Sequence, residues 1–96
     1  MDNVKRYSAF IKRIISAPES IRVKLLKSSN LNIIKAICKV ILNILQKNIS
    51  VSKAVIVGLK KHKTVIYKLL ESKGFESQKA ILVQNPKIIL PLAGVL

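Results

Sequence analysis

The densest chemistry in the chain is the run Lys60-Lys61-His62-Lys63, with Lys53 and Lys68 within about two helical turns of it. Ammonium groups at this density suit contact with phosphates, which they meet as point charges. The other reactive side chains offer less. His62 falls on the apolar line of its own segment, flanked by Lys61 and Lys63, as a half-buried structural histidine would rather than a general base. Cys38 lies on an apolar helical arc and reads as a small buried hydrophobe, since a reactive thiol needs an exposed, electropositive setting. Asp2, Glu19, Glu71 and Glu76 are scattered, with no two at helical spacing on one face. One Cys and one His allow neither a zinc pattern nor an internal disulfide. Gly58, Gly74 and Gly94 make no phosphate-cradling loop. The expectation is a non-enzyme with no cofactor and no metal.

Charge carries the functional signal. Eighteen Lys and Arg against four Asp and Glu give a formal net charge of +14 on 96 residues. Such an excess repels itself in the compact state and favours a polyanionic partner: nucleic acid, an anionic membrane or an acidic protein. Fifteen of the eighteen are Lys, so contact with nucleic acid is expected through phosphates, without the bidentate guanine readout that Arg provides. The residues expected to make it are Lys53, Lys60, Lys61, Lys63 and Lys68, joined by Lys5, Arg6, Lys12 and Arg13. Half the chain is hydrophobic, but Tyr7, Phe10, Tyr67 and Phe75 are its only aromatics. The core must therefore be aliphatic, and stacking platforms for bases are few.

These residues need elements to hold them. Leu31 to Lys47 is the organising stretch: Asn32, Lys35, Lys39, Asn43, Gln46 and Lys47 share an arc of about 120°, and Ile, Leu, Val and Cys38 fill the rest. That pattern predicts a central helix covered on more than one side, with Ser29 or Asn30 as its N-cap and Asn48 closing its far end. Residues 4–15 form an amphipathic helix, with Val4, Tyr7, Phe10, Ile11, Ile14 and Ile15 on one face. It suits either a docking helix with a basic back or an interfacial membrane helix. Ser16-Ala17-Pro18-Glu19 reads as a capping box opening a second helix, with Ile21, Leu25 and Leu26 inside and Arg22, Lys24 and Lys27 outside.

A fourth helix is expected from Ser52 to about Ser72, with Val55, Leu59, His62, Ile66, Leu69 and Leu70 inward and Gly58 marking a close crossing. A short fifth helix runs from Phe75 to Gln84, broken by Asn85-Pro86. The segment 86–96 is nearly all apolar. It either folds back onto the core or stands exposed as an anchor, through Ile88, Ile89, Leu90, Leu92, Val95 and Leu96. Lys5, Arg6, Lys12 and Arg13 interrupt any signal-peptide core, and no uncharged run approaches the ~18 residues that cross a bilayer.

NIIKAICKVILNILQKNISVSKAVIVGLKKHKTVIYKL, followed by QKAILVQ and IILPLAGVL, resembles small basic proteins of adenovirus-related elements of the Polinton (Maverick) and adintovirus type. In that family an AIC…LN(V/I)L helix precedes a Lys-rich helix, a junction with paired glycines and an apolar tail, the last similar to that of adenovirus core precursor protein X. The resemblance covers about residues 29–96. It implies a DNA-associated virion core protein or a minor capsid protein, found in the virion and in the host nucleus or cytoplasm. Leu59 to Lys63 would lie in the basic block, and Ile81, Leu82, Val83 and Gln84 in the junction. Asn85-Pro86-Lys87-Ile88 replaces the family's Lys-Gly-Gly-Phe, which removes a Gly-Gly protease site. Glu76, Ser77, Gln78 and Ala80 stand where the family has mostly Lys.

The expectation is thus an all-α protein, a small bundle of four to five helices around a central apolar helix. Residues 1–85 would form the basic helical domain and 86–96 the apolar tail. The function expected is sequence-independent DNA binding in a virion core. The alternatives are docking on capsid proteins through the tail and activity at an anionic membrane.

Overall fold

Apolar residues recur every three or four positions along most of the chain, and that spacing buries a continuous stripe only when the backbone is helical. The computed structural model describes residues 2–96, with side chains from Lys5 onward, and is all-α. Its elements are α1 (Asp2–Ser16), α2 (Glu19–Lys27), α3 (Leu31–Leu45), α4 (Lys53–Lys60), α5 (Lys63–Glu71), α6 (Phe75–Gln84) and a terminal 3-10 segment (Pro86–Gly94). No strand occurs among the described residues. α1 lies along α3, α6 packs on α5, α2 and α3, and the 3-10 segment is the main support of α4. The Cα radius of gyration is 12.0 Å, against about 12–13 Å for one packed domain of this length.

α3 is the spine. Ile33, Ile34, Ile37, Val40, Ile41 and Ile44 are buried, while Asn32, Lys35 and Lys39 stay in solvent. Of the two N-cap candidates Asn30 takes the position, its Oδ1 accepting from the Ile33 N–H at 3.0 Å. Ser29 turns inward and its hydroxyl donates to the Leu25 carbonyl at 2.7 Å. The helix stops two residues short of Lys47, which adopts a left-handed φ of 61°. The N–H groups of Lys47 and Asn48 then return to the carbonyls of Ile44 and Asn43, the double closure of a Schellman cap.

On α1, Ile11, Ile14 and Ile15 are buried and Tyr7 and Phe10 half-buried; the side chain of Val4 lies outside the described residues. This face packs into the core against the chain's own helices. The expected capping box is corrected. Ser16 is the last residue of α1, Pro18 occupies the N-cap of α2, and no side chain caps that helix.

α2 is rotated from its expected orientation. Ile21 is 42 % exposed and Arg22 only 8 %. The inward side of the helix is Arg22, Leu25 and Leu26, and buried Ser29 follows in the turn beyond it. Arg22 earns its burial at the end of α1, where the last carbonyls have no intrahelical partner. Its Nε donates to the Ile14 carbonyl at 3.3 Å, and one terminal nitrogen donates to Ile15 and Ala17 at 3.2 and 2.7 Å. A guanidinium can reach several acceptors at once and also meets the negative end of the helix dipole.

The expected helix from 52 to 72 is two helices, interrupted at Lys61 and His62. The cause is tertiary: α4 packs on the 3-10 segment, whereas α5 packs on α6 and α3, and one straight rod cannot meet both. Gly58 does mark a close crossing. A Cβ built there would lie 2.8 Å from Pro91 Cγ, and one at Gly94 would lie 2.8 Å from Val55 Cγ2. The apolar tail is therefore not a separate unit. Ile88, Ile89 and Leu92 are fully buried in the same cluster as α1 and α3, which corrects their assignment to a partner-binding anchor. Val95 and Leu96 pack partly against that cluster, and Leu90 alone of the six anchor candidates is exposed. Pro91 lacks an N–H and would clash with an α-helical carbonyl four residues back, in keeping with a 3-10 course here.

Two stability measurements check these contacts. Replacing Arg22 by Met keeps most of the stem but removes the charged donors, and urea denaturation should show a loss of about 2–4 kcal/mol; Arg22→Lys should recover only part of it. Gly58→Ala should destabilise by about 1–2 kcal/mol through overpacking, opposite in sign to the usual helix-propensity gain. Measured in a Pro91→Ala background, the Gly58→Ala loss should shrink.

Candidate functional site

The nine cations expected to contact nucleic acid are all exposed, but they fall into two groups. Lys5, Arg6, Lys12 and Arg13 lie on the outer face of α1, which has no extensive contact with α4 or α5. Lys53, Lys60, Lys61, Lys63 and Lys68 belong to α4, the break and α5. The structure unites only part of the second group. Lys60 and Lys63 border a groove of about 350 Å³ whose other walls are Leu45, Leu59, Ile66 and Tyr67. A second groove of about 360 Å³ continues past Leu45 and Leu59 to Ile44, Ile56 and Lys47, again with Lys60 on its rim. Lys63 and Lys68 flank Tyr67 on a third concavity, beside Glu71.

Lys47, Lys35, Lys39 and Lys73 were not among the residues picked out for binding, yet each borders a groove. Lys35, Lys39 and Lys73 surround a further groove of about 430 Å³ lined by Leu31, Leu42, Leu70 and Phe75. Their signal was hidden by distance in the sequence: Lys35 and Lys39 of α3 come to share a groove with Lys73, just past α5, only through packing. Tyr67 was also missed as a surface feature. Tyr67 is 51 % exposed, and the Lys63 Nζ stands 5.7 Å from its ring centroid, a cation–π pair at helical i, i+4 spacing.

Duplex readout by a helix has little support in the geometry. α2 and α3 bend by 117° at the turn between them, an angle within the helix-turn-helix range. A recognition helix must present side chains to a groove, however, and α3 buries most of its surface. The remaining reactive groups stand apart. Among the described residues no three His, Cys, Asp or Glu come together as a metal site. His62 is half-buried at the break and borders a small hollow with Glu19, Asn85 and Lys87. No single helix of the described residues is long and apolar enough to cross a membrane. No protein family, curated protein or solved structure matches the chain, so the surface itself is the ground for a functional reading.

Cys38 is unpaired and buried on the floor of the Leu31–Phe75 groove. Burial penalises the thiolate and pushes the pKa up to about 11 from 9.0, partly offset by a backbone hydrogen bond. The folded state therefore holds the proton more tightly than the unfolded chain. That stability is fully present below pH 9 and is lost as pH rises toward 11. The cost should be about 2–3 kcal/mol, seen in denaturation curves as a fall in the native protein that the Cys38→Val variant lacks.

Proposed function

We propose that the protein is a non-enzymatic component of a virus-like particle core that binds DNA through its phosphates and without sequence preference. The observation that carries this reading is charge combined with exposure. Among residues with described side chains, every Lys and Arg except buried Arg22 and half-buried Lys79 is exposed, and the net charge is +14. Few carboxylates lie among these cations to neutralise them, so a polyanion supplies the missing counter-charge. Fifteen Lys against three Arg, one of them buried, favours phosphate contact over base readout. The resemblance of residues 29–96 to basic proteins of adenovirus-related elements supports the particle setting.

Fluorescence anisotropy with two unrelated duplexes of about 20 base pairs, roughly two turns, tests the proposal. Both should bind alike, with affinity falling steeply between about 50 and 200 mM salt. Replacing Lys60, Lys61 and Lys63 together by Ala should make the slope of log affinity against log salt shallower by about 2–3. Absence of binding at the lowest salt would overturn the reading, as would a strong preference for one duplex.

A further inference from the structure

The two grooves that share Leu45, Leu59 and Lys60 have a property that phosphate binding leaves unused: their floors are apolar. Leu45 is 41 % exposed and Tyr67 51 % exposed, and Ile56 stands beside them. Lys47, Lys60 and Lys63 rim the pair, and neither groove is lined by an acid. Exposed apolar surface bounded by one sign of charge has the features of a protein-binding site.

The occupant can be argued by elimination. A second copy of this chain would bring +14 against +14 and lysine rim against lysine rim, which is repulsive. A DNA backbone would satisfy the lysines but leave the Leu45–Tyr67 floor without an apolar partner. A flat anionic bilayer would meet the exposed Leu45, Ile56 and Tyr67 but would not fill the hollows beside them. A small polar ligand would need several fixed polar groups converging on it, and flexible lysines do not provide them. An amphipathic helix with acidic flanks satisfies both parts of the surface. Its apolar anchors at i, i+3/i+4 and i+7 fill the two grooves, and its carboxylates face Lys47, Lys60 and Lys63.

We infer that the Leu45–Ile56–Tyr67 surface is a docking site for an acidic amphipathic helix of another protein. The probe is a synthetic helix of about five turns, roughly 18 residues, with Leu at those spacings and Glu elsewhere. A scrambled peptide of the same composition is its control. In calorimetric titration the amphipathic peptide should bind the full chain about tenfold or more tightly than the scrambled one. Leu45→Ser and Tyr67→Ser should each remove most of that advantage, with thermal melts confirming that both variants fold. Leu90→Ser, at an exposed apolar position outside both grooves, should leave it intact. Equal binding of the two peptides would overturn the inference, since charge alone would then suffice. An unchanged advantage in both Leu45→Ser and Tyr67→Ser would overturn it too. If these variants instead weaken duplex DNA, or vesicles of anionic phosphatidylglycerol, as much as they weaken the peptide, the surface belongs to that ligand and the inference fails. Duplex binding that persists in Leu45→Ser keeps the phosphate reading separate from this one.

Discussion

Self-repulsion is the constraint that the rest of the molecule answers. A charge of +14 is held within extents of 30 × 26 × 25 Å, and at physiological salt the screening length is about 8 Å. Neighbouring lysines on such a surface still feel one another. What opposes them is aliphatic burial, worth about 1.5–3 kcal/mol for each large side chain fully removed from water. α3 concentrates that burial, with isoleucines facing several neighbours at once. Because its polar arc is narrow, most of what it presents must be covered. The helices that cover it bury their apolar stripes there and leave their lysines in solvent.

An acid-poor chain also needs other acceptors for its cations, and the structure finds them in two places. Arg22 is satisfied by three main-chain carbonyls around the end of α1 rather than by a carboxylate. Three of the four aromatic rings have a cation over them: Arg6 on Tyr7, Lys63 on Tyr67 and Lys79 on Phe75. Carbonyl ends and ring faces thus take the part that Asp and Glu play in a chain of ordinary composition. Neither acceptor removes the positive charge, so the outward field survives. A protein built to neutralise itself would have placed acids at these sites instead.

The all-α class, the spine at α3, the short helix from Phe75 to Gln84 and the crossing at Gly58 were legible because each rests on periodicity or on a residue whose backbone chemistry is distinctive. α2 was misread for a physical reason: Arg22 occupies one of its inward places, and hydrophobic spacing cannot register a buried cation bonded to another helix's carbonyls. The interruption at Lys61 and His62 was invisible for a different reason. No Pro or Gly stands there, and the break follows from two partners that lie far away in sequence. The tail could be seen to be apolar, but its burial rests on a close approach to α4 at Gly58 and Pro91 that apolarity alone does not reveal. The lysines were legible one by one. Their assembly around Leu45 and Tyr67 was not, since it joins α3 to α4 and α5 only in space.

The same interruption explains why that surface has grooves at all. One unbroken helix across 53–71 would have a single axis, and its apolar stripe would close along one neighbour. Here α4 leans on the 3-10 segment through Gly58 and Pro91, while α5 follows α6 and α3. Beside the C-terminal end of α3 lies a hollow walled by Leu45, Leu59 and Ile66. Lys60 lies in the last turn of α4, where a cation is favoured by the helix dipole, and Lys63 opens α5, where it is not. A cation held at a helix N-terminus gains from any anion placed beside it. The break that lets the core close therefore also leaves an apolar hollow with an unfavourably placed lysine on its edge, and an acidic helix seated there would relieve both.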